Sequence, residues 1–214
     1  MSPMQRYGGV MTSATQIRMS PDEALQALKE GNERFTAGQA THHDWVKLML
    51  ATADEQYPHS LVLSCLDSRV PVEAIFDQGI GDIFVGRVAG NIVNDDLLGS
   101  MEFGTKIAGS KLIVVLGHTS CGAVKAAIDK QVLGKLTATL GLIEPAISRV
   151  EPGERGRTSS DKTYVDRVVE ANVRKSVSDV LERSEIIAGL VETGDLKVVG
   201  AVYDLESGRV SWLG

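Results

Sequence analysis

Lys111-Leu112-Ile113-Val114-Val115-Leu116 runs directly into Gly117-His118-Thr119-Ser120-Cys121-Gly122. The first half is short and apolar on both faces, which predicts a strand covered on both sides, as in a parallel sheet. The second half breaks that strand with a glycine and starts a helix at about Cys121, predicted to run to Asp129. Working outward, Ser60-Leu61-Val62-Leu63-Ser64 reads as a second buried strand and ends on Cys65. Asp82 to Arg87 and Leu196 to Tyr203 supply two more. Val210 to Leu213 follows the turn Asp204–Arg209 and reads as a terminal edge strand.

Helical patterns fill the gaps. Ser20 caps a helix with Pro21 in its first turn and Glu23 three residues after the cap, and the pattern continues to Gly38. Others are predicted over 45–53, 72–77, 95–108, 135–150 and 162–190, with Asp95 and Asp96 near the positive end of theirs. Residues 151–160 are the most loop-like internal stretch. Strands alternating with helices imply one α/β domain: a mostly parallel central β-sheet flanked by helices, an N-terminal helical arm and a C-terminal antiparallel edge strand. The expected division is a flexible segment over 1–19 and the domain over 20–214.

Composition narrows the function. The chain has 214 residues, 43% hydrophobic and 23% charged, the ordinary balance of a globular domain. A net charge of −6 argues against a nucleic-acid footprint. No apolar run reaches the ~18 residues of a membrane helix. Residues 1–18 lack the apolar core of a secretion signal, so a cytoplasmic location without membrane contact is expected. The two cysteines, Cys65 and Cys121, are too few for a disulfide framework. They are core residues, a redox pair or metal ligands.

Their neighbours favour metal. His118 and Cys121 lie three apart where a strand gives way to a helix, so imidazole and thiolate can meet one ion. The helix start favours the Cys121 thiolate. In Ser64-Cys65-Leu66-Asp67-Ser68-Arg69, the extended chain places Cys65 and Asp67 on one face. Both segments sit at carboxyl ends of predicted strands, where open α/β sheets bind ligands. Two sulfurs and one nitrogen suit tetrahedral zinc, and three protein donors leave a fourth position open.

Cys-x-Asp-x-Arg followed by His-x-x-Cys-Gly at this separation resembles the β-class carbonic anhydrases, and the likeness is strongest from Gln56 to Ala127. The resemblance implies one zinc per subunit, held by Cys65, His118 and Cys121. It implies reversible hydration of carbon dioxide to bicarbonate and a proton, with zinc-bound hydroxide as nucleophile. Asp67 and Arg69 would form a catalytic dyad in the active form, and Asp67 would become the fourth zinc ligand in a closed one. Gln56 matches a residue that hydrogen-bonds bicarbonate, and the Gly122 N–H matches a substrate contact. Phe84 matches an aromatic that lines the pocket from the partner subunit. Phe103 falls where plant members carry Tyr. A homodimer or homotetramer is implied.

Members held closed by a regulatory bicarbonate carry Trp where this chain has Val62, so the open arrangement is expected. Two thiolates and a neutral imidazole cancel the zinc charge, which predicts activity rising through mildly alkaline pH. His42, His43 and His59 are candidate proton shuttles, although exposed loop histidine is the commoner fate. Rival readings are a carbonyl sulfide or carbon disulfide hydrolase on the same zinc, a non-catalytic zinc module closed by Asp67, and a nucleotide-binding domain. The last lacks any phosphate loop.

Overall fold

The computed structural model describes residues 10–152 and 156–213. Five strands form one sheet: β1 (Ser60–Ser64), β2 (Ile83–Arg87), β3 (Leu112–His118), β4 (Lys197–Tyr203) and β5 (Val210–Leu213). Their order is β2-β1-β3-β4-β5, parallel except for β5, which runs antiparallel to β4. The chain steps from β1 to β2 on one side and then crosses to β3 on the other. That reversal is the switch point at which such sheets open a crevice beyond their carboxyl ends.

Every side chain of β1 and β3 is buried, as their unbroken apolar runs require. Leu112, Val114 and Leu116 join Val62, Leu28, Phe76 and Tyr203 on one face. Ile113 and Val115 join Leu61, Leu63, Val173 and Ile187 on the other. The helices are α1 (Ser13–Arg18), α2 (Pro21–Thr36), α3 (Trp45–Ala51), α4 (Val72–Ile75) and α5 (Asp95–Glu102). After β3 come α6 (Gly122–Ile128), α7 (Leu136–Gly141), α8 (Glu144–Ser148), α9 (Lys162–Arg183) and α10 (Glu185–Glu192). Among the described residues, no helix is long and apolar enough to cross a membrane.

Several boundaries differ from the sequence reading. β3 runs through His118, because it pairs with β4 up to Tyr203. The helix expected over 162–190 breaks at Ser184, whose extended backbone starts α10 and whose Oγ accepts the Ile187 N–H at 3.1 Å. The one expected over 95–108 widens after Glu102 into a π-helical turn, Phe103–Ile107. The stretch 135–150 splits into α7 and α8, with Pro145 in the first turn of α8.

The flexible segment expected over 1–19 needs the largest correction. Residues 1–9 lie outside the described residues. Beyond them α1 is closed by a Thr12–Thr15 capping box, and Gln16 is buried. Its Nε2 donates to the carbonyls of Pro58 and Ala108, each at 2.8 Å. The segment is polar, so it lacks the apolar signal that marks a packed element. Long-range hydrogen bonds dock it instead.

One buried acid sits at the far end of the sheet from the cysteines. Asp82 is 1% exposed and accepts the Gly79 N–H at 2.7 Å. Burial pushes its carboxyl up to about 7, against an ordinary 3.8. The fold therefore holds a proton that the unfolded chain releases, and stability is lost as pH rises through that window. Buried His59, pushed down to about 4 by desolvation, runs the opposite way but is common to both proteins in a paired comparison. Asp82→Asn should raise the melting temperature more at pH 8 than at pH 5. An equal shift at both pH values would show that Asp82 ionises freely in the fold.

Candidate metal centre

Strand register builds the site. Ser64 pairs with Leu116 of β3, so Cys65 leaves β1 beside the Gly117–Cys121 turn. A Cβ on Gly117 would meet Val173 Cγ2 at 2.5 Å, so only glycine lets α9 pack this tightly before the turn. His118 is fully buried as the last residue of β3. Its Nδ1 lies 3.0 Å from the Thr119 carbonyl, a partner that requires the proton on Nδ1 and leaves Nε2 as a lone pair. Ser120 then takes φ +56°, and its N–H donates to Asp166 Oδ1 at 3.1 Å. That bend brings Cys121 back to precede α6.

The three donor atoms of Cys65, His118 and Cys121 all lie within 4.8 Å of one another, and all three residues are buried. The sulfurs are 3.9 Å apart. Two thiolates on tetrahedral zinc, with bonds of about 2.3 Å, would stand about 3.8 Å apart. His118 Nε2 is buried and has no hydrogen-bond partner, which is costly for a lone pair unless it is a ligand. The donor set and its spacing fit zinc.

Proton affinities in the pair are set mutually. Cys65 is held below the usual thiol range, chiefly by a hydrogen bond from the Cys121 thiol and further by the Gly90 N–H at 3.4 Å. Cys121 is pushed upward because it keeps the shared proton beside Cys65 and is buried. The pair sheds one proton readily and retains the other between two sulfurs, the place a divalent cation would take.

Asp67 stands at the mouth of the group but outside it. Arg69 holds it twice, from Nε to Oδ1 at 2.9 Å and from Nη2 to Oδ2 at 2.7 Å. The Arg69 backbone N–H adds a third bond, at 3.0 Å. These contacts, the guanidinium first, hold the Asp67 carboxyl far below the usual carboxylate range. Its Oδ2 is 3.8 Å from His118 Nε2, so a carboxylate edge faces the donors while its charge is committed to Arg69. The arrangement is the expected open one: the donor group is Cys65, His118 and Cys121, and Asp67, expected as a fourth ligand only in a closed form, is paired with Arg69. Val62 is buried in the core beneath the site.

The remaining expected residues divide. Gly122 is exposed at the start of α6, next to Cys121. Gln56, Phe84 and Phe103 are not brought to these donors. Gln56 lies before the amino end of β1 and lines a hollow with Thr52 and Ile80. Phe84 pairs with Leu61, four residues before Cys65, and meets Phe103 edge-on at 6.5 Å beside a small apolar cavity. His43 is 3.3 Å from Asp77, and His59 is buried against Ser60 and Gln78, both away from the donors.

Sequence reasoning missed Arg87. It ends β2 opposite Ser64, and its guanidinium donates to the Cys65 carbonyl at 3.0 Å and the Asp67 carbonyl at 2.5 Å. It therefore fixes the loop that carries both the Cys65 sulfur and the Asp67 carboxylate. Asp166 was also missed. The bonds span 20 to 46 residues of chain, so local patterning carries no trace of them.

A family model described as carbonic anhydrase matches residues 60–210. Carbonic anhydrase 2 of Mycobacterium tuberculosis is 39% identical over 191 residues, covering 89% of this chain and 91% of that protein. The carbonic anhydrase of Pseudomonas aeruginosa is 32% identical, covering 78% of each. Among solved structures, a tetrameric β-carbonic anhydrase from Sordaria macrospora superimposes with a TM-score of 0.70 at 26% identity, covering 86% of this chain and 94% of that one. The Coccomyxa β-carbonic anhydrase bound to acetazolamide gives 0.70 at 27% identity, covering 88% and 84%.

The geometry predicts different roles for neighbouring residues. Asp67→Asn should keep one zinc per chain, whereas Cys121→Ser should lose it, as measured by atomic absorption after gel filtration. Loss of zinc from Asp67→Asn would make Asp67 a ligand.

Proposed function

The chain belongs to the β-class carbonic anhydrases, and from that premise we propose how its residues divide the interconversion of carbon dioxide and bicarbonate. The observation that carries the reading is the buried Cys65–His118–Cys121 group, with its unpartnered His118 Nε2 facing an Asp67 carboxylate tied to Arg69. Zinc held by those three donors supplies the Lewis acid that lowers the pKa of water enough to make a nucleophile.

The rest is work for side chains. Asp67 is too strongly acidified to serve as a general base, so it acts as a fixed hydrogen-bond acceptor. It accepts the proton of the attacking oxygen in a hydrogen bond and thereby aims a lone pair at the carbon. Arg69 keeps the carboxylate ionised and would hold it back from the metal position. Arg87 fixes the backbone that carries both. The Gly122 N–H, in the first turn of α6 where backbone N–H groups lack intrahelical partners, would meet a substrate oxygen. Exposed Leu66, next to Cys65, gives the approach an apolar wall suited to a nonpolar gas.

Gln56, Phe84 and Phe103 are assigned to the neighbouring subunit's site in a homo-oligomer. Phe103 is 53% exposed and Phe84 lies on the edge strand of the sheet, so this side is open to a second chain. The Sordaria relatives are tetrameric. Cytoplasmic residence suits the two free cysteines. The readings as a carbonyl sulfide hydrolase or a non-catalytic zinc module are not favoured, since the relatives are carbonic anhydrases.

Stopped-flow hydration of carbon dioxide tests the proposal. The zinc-loaded protein should release protons at a rate that rises through mildly alkaline pH and disappears on chelation. Arg69→Ala should retain zinc and lose on the order of 10²-fold in kcat, the scale expected for a misplaced orienting group. Full activity in that variant would remove Arg69 from the mechanism. The subunit assignment has its own check. Co-expressed Gln56→Ala and Cys65→Ala chains should recover activity that neither has alone, because mixed dimers hold one intact site. Absence of recovery would return Gln56 to its own chain.

A further inference from the structure

The turn after β2 presses against the first cysteine. Gly90 and Asn91 both have left-handed backbones, with φ of +72° and +44°. The positive φ at Gly90 favours glycine, and a Cβ there would press on Ile143 Cδ1 at 2.7 Å. The Gly90 N–H donates to Cys65 Sγ at 3.4 Å. A left-handed non-glycine residue such as Asn91 keeps its conformation only where its surroundings impose it.

Helix α9 imposes it from two successive turns. Asn172 Nδ2 donates to the Gly90 carbonyl at 2.8 Å, and Ser176 Oγ donates to the Asn91 carbonyl at 3.1 Å. Asn172 is 1% exposed, and its Oδ1 is buried without a hydrogen-bond partner. A buried amide whose oxygen goes unpaired is an expensive core residue. The bond from Nδ2 to Gly90 is what the residue supplies in return.

We infer that Asn172 is a positioning residue for the metal centre, holding the Gly90 turn so that the Gly90 N–H stays aimed at the Cys65 sulfur. An N–H bonded to a thiolate ligand orients the sulfur and tempers its electron donation to the metal. The inference rests on the metal-centre reading above and goes beyond it, because Asn172 lies 107 residues from Cys65 in the chain and touches none of the donors. Asp166, on the same helix, holds Ser120 between the other two ligands. One helix thus sets both halves of the site.

Cobalt(II) in place of zinc reports sulfur ligation as charge-transfer absorption in the near ultraviolet. In the full-length protein, Asn172→Leu should shift that band and weaken zinc binding by roughly 10- to 100-fold, the usual cost of losing such support. Ser176→Ala loses the grip one peptide further on, at the Asn91 carbonyl, and should shift the band clearly less. If Asn172→Leu does not fold, Asn172→Ser, whose hydroxyl is too short to reach, should give the same shift. A wild-type band and wild-type zinc affinity in the folded Asn172 variant, with only its melting temperature lowered, would make Asn172 merely structural and overturn the inference. A shift of equal size in Ser176→Ala would overturn it too, by assigning the effect to the turn as a whole. Absence of any charge-transfer band in the wild type would sink the metal-centre reading itself, and this inference with it.

Discussion

The parallel pairing of β1 with β3 brings Cys65 to the same level as the Gly117–Cys121 turn. Because side chains alternate along a strand, a slip of one residue would turn Val62 and Leu63 to the wrong faces and move Cys65 away from His118. The fully buried strands make such a slip expensive, since Leu112 to Leu116 are committed to two separate cores. The geometry of the donors is therefore enforced by the hydrophobic core, not by the donors. Thiols and an imidazole that gain little from one another in the absence of an ion are nonetheless held within bonding range of one.

A second layer of constraint is polar and comes from far along the chain. Arg87 anchors the Cys65–Asp67 backbone from the neighbouring strand. Asp166 holds the left-handed Ser120, and the Thr119 hydroxyl accepts the Leu205 N–H at 3.0 Å from the turn after β4. Arg69 occupies the Asp67 carboxylate. The last interaction commits a carboxylate that stands 3.8 Å from His118 Nε2.

Much of this was legible in the chain. The strands showed themselves as short apolar runs, and Cys-x-Asp-x-Arg with His-x-x-Cys-Gly marked the donors because their spacing is local. Structure at the ends and breaks was less legible. Helix α1 is polar and docks through Gln16, so it carries no apolar pattern. Ser184 interrupts a continuous helical pattern by capping the next helix, a choice made by tertiary packing of Ile187. Arg87, Gly90, Asp166 and Asn172 act across 20 to 82 residues of chain, which no periodicity reports. Gln56 and the phenylalanines were named by resemblance, and their separation from this chain's donors emerged only from the tertiary structure.

A crystal structure of the zinc-loaded protein at pH 8.5 tests the central claim most directly. The account predicts zinc on Cys65, His118 and Cys121, a solvent oxygen in the fourth position, and the Asp67–Arg69 pair intact. An Asp67 oxygen on the metal with Arg69 turned away would contradict it, because the ion pair would then not be what keeps the site open.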